Sequence, residues 1–189
     1  MALLQTEKVT MQFGGLMAVN SVDMSIEEGS ICALIGPNGA GKTTLFNIIT
    51  GIYIPTSGKV FFKGREITRL GPHQITKMGI ARTFQNILLF DKLSAHEIVM
   101  IGRHCRTESN ILADILRTPK MRSEEKRCSE KALEYIEFVG LKDKAFADAA
   151  SLPYGQKRLL EIARALACEP TLLILDEPAA GMNTAESME

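Results

Sequence analysis

The chain has 189 residues, enough for one domain with a substantial core or one domain carrying a small insertion. Its 22 Lys and Arg balance its 22 Asp and Glu, which argues against both a basic nucleic-acid footprint and an acidic solvating tail. No apolar run approaches the roughly eighteen residues of a membrane span. The start, Met1 to Lys8, lacks the basic stretch and apolar core of a signal peptide, so a cytosolic protein able to sit against a membrane partner is expected.

In chain order, Leu4 to Phe13 and Met17 to Ile26 alternate in short apolar and polar stretches. Gly14-Gly15 and Glu28-Gly29 are turn signals, so a strand-rich opening is predicted. It ends in the apolar run Ile31-Cys32-Ala33-Leu34-Ile35, expected as a strand. Behind it stand Gly36-Pro37-Asn38-Gly39-Ala40-Gly41-Lys42-Thr43 and a helix from Lys42 to about Thr50. That loop fits G-x-x-x-x-G-K-S/T in a strand, loop, helix setting. Glycines let main-chain N–H groups turn toward a polyphosphate, and the helix N-terminus adds a partial positive charge. Lys42 can reach the β- and γ-phosphates and the Thr43 hydroxyl can take one Mg²⁺ position, so nucleoside triphosphate binding is expected.

Further along, Thr56-Ser57-Gly58 leads into a hairpin-like strand pair over Lys59 to Arg65, and Ile80 to Phe84 reads as a short strand. Gln85 follows it, before Ile87-Leu88-Leu89-Phe90, an apolar run that is either core or an exposed docking surface. The pattern then turns helical. Ser94-Ala95-His96-Glu97 is a capping box that opens a helix to about Arg103. A polar patch, Arg106 to Ser109, precedes a short helix around Ile111 to Leu116. Ser123 begins a longer amphipathic helix with Ala132, Leu133, Ile136 and Val139 on one face and Gly140 as the stop. Residues 94–150 are thus expected to be a helical insertion in an α/β domain.

Leu152-Pro153-Tyr154-Gly155-Gln156 precedes a helix whose apolar side carries Leu159, Ile162, Ala163 and Leu166. A glycine there is a plain turn or a source of backbone donors for an anion. The run Leu172-Leu173-Ile174-Leu175 is too uniform to alternate and suits a strand covered on both faces of a parallel sheet. It ends in two carboxylates: Asp176 is placed to hold Mg²⁺ and Glu177 to orient and deprotonate a water. The four cysteines, Cys32, Cys105, Cys128 and Cys168, are scattered without a C-x-x-C pair, so free thiols are expected. His73, His96 and His104 have no metal spacing.

Taken together, the phosphate loop, Gln85, the 152–156 segment, the carboxylate strand and Ala180-Gly181-Met182-Asn183 resemble, in order and spacing, the ATP-binding subunits of ABC transporters. A finer similarity, to one ATPase subunit of branched-chain amino acid importers, rests on Phe13 to Leu16, Ile101 to His104 with Arg106-Thr107, Leu116 to Thr118, and Asp176 to Asn183. The resemblance implies an α/β P-loop NTPase of ABC type: a RecA-like parallel-sheet core, an N-terminal antiparallel β-subdomain and an inserted α-helical subdomain, with the C-terminal part of the core missing. The corresponding divisions are 1–93, 94–155 and 156–189. It also implies that Gly36, Pro37, Asn38, Gly39, Ala40, Gly41, Lys42, Thr43 and Thr44 hold the phosphates of ATP, that Thr43, Gln85 and Asp176 surround Mg²⁺, and that Glu177 is the general base. Leu152, Tyr154, Gly155 and Gln156 would reach the ATP of a second subunit. Phe13 matches an adenine-stacking position, with a core phenylalanine as the rival reading. The implied partners are membrane-spanning permease subunits and a second ABC ATPase, a sister subunit or an identical one. The implied place is the inner face of the cell membrane, and no nucleic-acid partner is expected.

Two departures from that pattern stand out. Pro153 replaces a serine and supplies neither hydroxyl nor N–H, a loss of one charge-assisted contact of roughly 1.5–3 kcal/mol. The sequence also stops at Glu189, before the strand and histidine that the family carries beyond the carboxylates, so a fragment that binds ATP but hydrolyses it poorly is expected. Rival readings are a soluble ABC-type protein acting on ribosomes or DNA, a kinase or GTPase, and a non-catalytic or regulatory ATP-binding module. No long basic insertion supports the first, and no N-K-x-D segment supports a GTPase.

Overall fold

The computed structural model describes residues 2–83, 92–106 and 119–177, which divide into two compact units between Met78 and Gly79. In the N-terminal unit, β1 (Ala2–Phe13) and β2 (Leu16–Glu27) form the antiparallel hairpin that the alternation predicts, with Phe13 opposite Leu16 and Gln5 opposite Ser25. On the other edge of β1 lies β3 (Ser57–Phe62), antiparallel, with Leu4 opposite Phe62. The short β4 (Arg65–Glu66) completes a sheet ordered β2-β1-β3-β4. Along β1, Leu4 and Thr6 are buried, then Val9 is buried instead of residue 8. A register shift between Thr6 and Val9 causes this change of parity, because one extra residue sends the following side chains to the opposite face. Lys8 sits in that bulge at φ 45, its N–H donating to the Asp23 carboxylate at 2.7 Å.

Helix α1 (Lys42–Ile49) buries Leu45, Ile48 and Ile49, spaced to share one face. Helix α2 (Pro72–Met78) is an element that the sequence pattern does not announce. Its start has a recognisable cause: Pro72 in the first turn, and the Gln74 side-chain oxygen accepting the Gly71 N–H at 3.0 Å. One expectation is corrected here. Ile31 to Ile35 are not a strand; they run as irregular, exposed chain, with Ile31 fully solvated. A strand needs a ladder partner to satisfy its amides, and among the described residues none pairs with this segment.

In the C-terminal unit, β5 (Ile80–Arg82) and β6 (Leu172–Ile174) run parallel, Ile80 opposite Leu172 and Arg82 opposite Ile174. The parallel pairing is as expected, but the cover on both faces is not: Ile174 is buried, Leu172 and Leu173 are half-buried, and Leu175 is exposed. Three helices pack beside this ladder's unit in one apolar cluster. Ile98 and Val99 come from α3 (Ala95–Arg103), Ala132 and Ile136 from α4 (Pro119–Phe138), and Leu160 and Ala163 from α5 (Tyr154–Leu166). The capping box of α3 forms as read: Ser94 N–H donates to Glu97 Oε2 at 2.8 Å and Glu97 N–H to Ser94 Oγ at 3.3 Å. Helix α4 starts earlier than Ser123, at Pro119, whose missing N–H is harmless in a first turn. Phe84, Gln85, Ile87 to Phe90, Ile111 to Leu116 and Ala180 to Asn183, for which the sequence raises expectations, lie outside the described residues. Among the described residues no helix is long and apolar enough to cross a membrane.

Candidate functional site

The phosphate loop is shaped by its backbone. Ala40 N–H donates to the Pro37 carbonyl at 3.2 Å, and Gly41, at φ 84, is the N-cap of α1. A Cβ on Gly41 would lie 2.2 Å from the Ala18 carbonyl oxygen in β2, so the conformation and the close approach both require glycine. No side chain caps α1 and no acidic residue stands in its first turn. Its first N–H groups therefore lack the side-chain acceptor usually found there, and the helix dipole points positive at the same place. Lys42 folds back over the loop, its Nζ donating to the Gly36 carbonyl at 2.7 Å and the Pro37 carbonyl at 3.0 Å. This is a cationic, donor-rich cradle in which an anion meets main-chain N–H groups and one ammonium. Thr43 is exposed and Thr44 half-buried beside it. Phe13 is 42% exposed and meets Tyr53 edge-on at 5.4 Å, so it is not a core residue and its ring remains available for stacking.

The carboxylate turn is built from side chains instead. Asp176, directly beyond β6, is only 3% exposed and pairs with Arg82 Nη2 of β5 at 2.8 Å, while its N–H donates to Thr83 Oγ1 at 3.3 Å. Glu177 is exposed and stands at φ 49, a left-handed conformation that costs a non-glycine residue about 1–3 kcal/mol. Arg158, from α5, holds it there. Its Nη2 donates to the carbonyls of Asp176 and, at 2.9 Å, of Glu177. Arg158 is itself buried and paired at 2.7 Å with Glu161, both side chains being 1% exposed.

Arg82, Arg158 and Glu161 were missed by sequence reasoning. The available signal was a charged pair three residues apart in α5, directly beside apolar positions. It also corrects the expected face of that helix. Ala163 is buried, but Leu159, Ile162 and Leu166 are half-buried, because α5 turns its Arg158 and Glu161 side inward to grip the carboxylate turn.

At the start of α5, Leu152 packs into the apolar cluster and its N–H donates to the Ala149 carbonyl at 3.3 Å, so neither is turned to a ligand. Pro153 occupies the N-cap position without a side-chain cap, Tyr154 is exposed, Gly155 is buried, and Gln156 accepts a hydrogen bond from Lys144 at 3.0 Å. The described residues form no group of three or more His, Cys, Asp or Glu able to hold a metal by themselves. The exposed Thr43 hydroxyl is a hard oxygen donor of the kind Mg²⁺ takes; in the other unit the Asp176 carboxylate is of the same kind but is engaged by Arg82.

A profile of the family described as ABC transporter matches residues 19–180. The chain belongs to that family. It is similar to the high-affinity branched-chain amino acid transport ATP-binding protein BraF of Pseudomonas aeruginosa, 45% identical over 98% of this chain and 72% of the relative. Among solved structures it superposes on the ADP conformation of an ATP-binding cassette of an ABC transporter with a TM-score of 0.84. The identity there is 35%, over 100% of this chain and 73% of that one. A dimeric bacterial ABC transporter cassette gives a TM-score of 0.81 at 25% identity, over 98% of this chain and 78% of that one. The chain is thus an ABC-type, nucleotide-binding ATPase subunit with the P-loop fold, homologous to branched-chain amino acid transport ATPases.

Proposed function

We propose that this chain binds ATP with Mg²⁺ and hydrolyses it to power an ABC importer for branched-chain amino acids, working at the inner face of the membrane against permease subunits. The observation that carries the reading is the uncapped start of α1 with Lys42 folded over a glycine-shaped loop. Here Gly36 to Thr44 take the polyphosphate and Lys42 exchanges its two carbonyl partners for phosphate oxygens. Phe13 stacks on the base. Thr43, Gln85 and Asp176 would hold Mg²⁺, which supplies charge neutralisation at the phosphates.

Glu177, exposed at the turn beyond β6 and with its carbonyl held by Arg158, accepts a proton from the attacking water. The start of α5, with Tyr154, Gly155 and Gln156, offers a second set of backbone donors on the same chain. Two donor sets on one chain suit a head-to-tail pair of ATPase subunits, each set serving a different nucleotide, with closure driven by ATP and reopening by hydrolysis. The dimeric state of a related cassette supports that arrangement. Glu177→Gln tests the chemistry: phosphate release should fall about 10²–10⁴-fold while nucleotide affinity holds. Unchanged turnover would favour the binding-only, regulatory reading instead.

A further inference from the structure

The C-terminal ends of α3 and α5 meet at a point that the nucleotide chemistry does not use. Gly102 makes the approach possible, since a Cβ there would lie 2.2 Å from the Arg164 carbonyl oxygen. The Gly102 carbonyl then accepts from two thiols, Cys168 Sγ at 3.1 Å and Cys105 Sγ at 3.5 Å. Sharing that acceptor sets the two sulfurs beside each other, and each shifts the ionisation of the other. Residues remote in sequence thus place two sulfurs on one oxygen atom, and both are half-buried rather than sealed.

The surroundings are cationic. Arg103 pairs with Glu169 at 2.8 Å, and Arg106 donates to the carbonyls of Cys168 at 2.6 Å and Glu169 at 2.9 Å. The hydrogen bond from Cys168, helped by Arg106 and Arg103 against burial, pulls the Cys105 thiol down to about 6. That same hydrogen bond, with burial, pushes Cys168 up. A thiol that ionises more readily beside one that keeps its proton is the combination that peroxide reduction and disulfide closure require.

We propose that Cys105 and Cys168 form a redox-sensitive dithiol, a modification site for hydroperoxides, which closes into a disulfide joining the end of α3 to the end of α5. The Cys105 thiolate attacks one peroxide oxygen and the O–O bond breaks. The other oxygen leaves as hydroxide and becomes water by taking a proton from solvent, leaving a sulfenic acid on Cys105. The Cys168 thiol then attacks that sulfur, a second water leaves, and the S–S bond forms. Two electrons pass from the two sulfurs to the peroxide.

The test treats the purified full chain with hydrogen peroxide, blocks remaining thiols with an alkylating reagent and maps peptides without reduction. The expected product is a Cys105–Cys168 linkage reversed by dithiothreitol. In the untreated chain at neutral pH, Cys105 should alkylate about tenfold faster than exposed Cys32. In Cys168→Ser, a sulfenic acid should persist on Cys105 and be captured by a cyclic dione. Linkage through Cys32 or Cys128 alone, over-oxidation of Cys105 without linkage, or equal labelling of Cys105 and Cys32 would overturn the proposal. The labelling comparison needs no variant, so it decides the matter even if Cys168→Ser fails to fold.

Discussion

The phosphate loop and the carboxylate turn reach special backbone conformations by opposite means. At the loop, positive φ falls on Gly41, where it carries no steric penalty, and the helix start is left without a side-chain partner. At the turn, positive φ falls on Glu177, and a buried arginine from another element holds the neighbouring carbonyls. One region is tuned by what the sequence omits, the other by what the tertiary structure supplies. A loop that must wrap a ligand gains from bare donors. A carboxylate proposed to take a proton from water gains from being held at a fixed angle.

The sharpest way to break this contrast is Arg158→Met. It removes the nearer arginine partner of the buried Glu161, leaving Arg164 at 3.7 Å, and frees the Asp176 and Glu177 carbonyls, so an unfolding free energy lower by about 3 kcal/mol is expected in denaturant titration. Adding Glu161→Leu should recover most of that stability while turnover stays low, because no donor is restored to the turn. A wild-type midpoint for Arg158→Met alone would mean the turn does not need its clamp. Gly41→Ala asks the same question of the loop. With a Cβ 2.2 Å from the Ala18 oxygen and φ 84, it should lower stability by about 1–3 kcal/mol and weaken nucleotide binding, measured by thermal unfolding with and without ATP.

The smallest effect concerns the Arg103–Glu169 pair. The Arg103 hydrogen bond holds the Glu169 carboxyl below its ordinary value of 4.5. Its contribution is therefore present above that value and is lost as pH falls through the depressed one. Because the Glu169 side chain is 43% exposed, the pair should be worth about 1 kcal/mol or less. Glu169→Gln should accordingly lower stability by about 1 kcal/mol or less near neutrality and flatten the acid side of the stability curve, so that variant and parent converge below about pH 4.5.

The same contrast explains what could be read from the residues alone. The β1–β2 hairpin, the capping box at Ser94 and the phosphate loop are local: each is specified by residues a few positions apart, so spacing suffices. Arg158 could not be read this way, because its partners lie 18 and 19 positions away and its charge looks like an ordinary exposed helix residue. Nor could the meeting of Cys105 and Cys168, which depends on Gly102 admitting a neighbouring helix end. The Ile31 to Ile35 segment shows the converse error. Its apolar run satisfies a strand pattern, yet pattern alone supplies no ladder partner.

The most direct measurement is a calorimetric titration of the purified chain with ATP and Mg²⁺ beside the Lys42→Ala variant. The account predicts saturable binding by the parent chain and a Kd weakened at least thirtyfold by the substitution, about 2 kcal/mol. The unfolding midpoint without nucleotide should be unchanged. Equal affinity in the two proteins, or binding by neither, would contradict it.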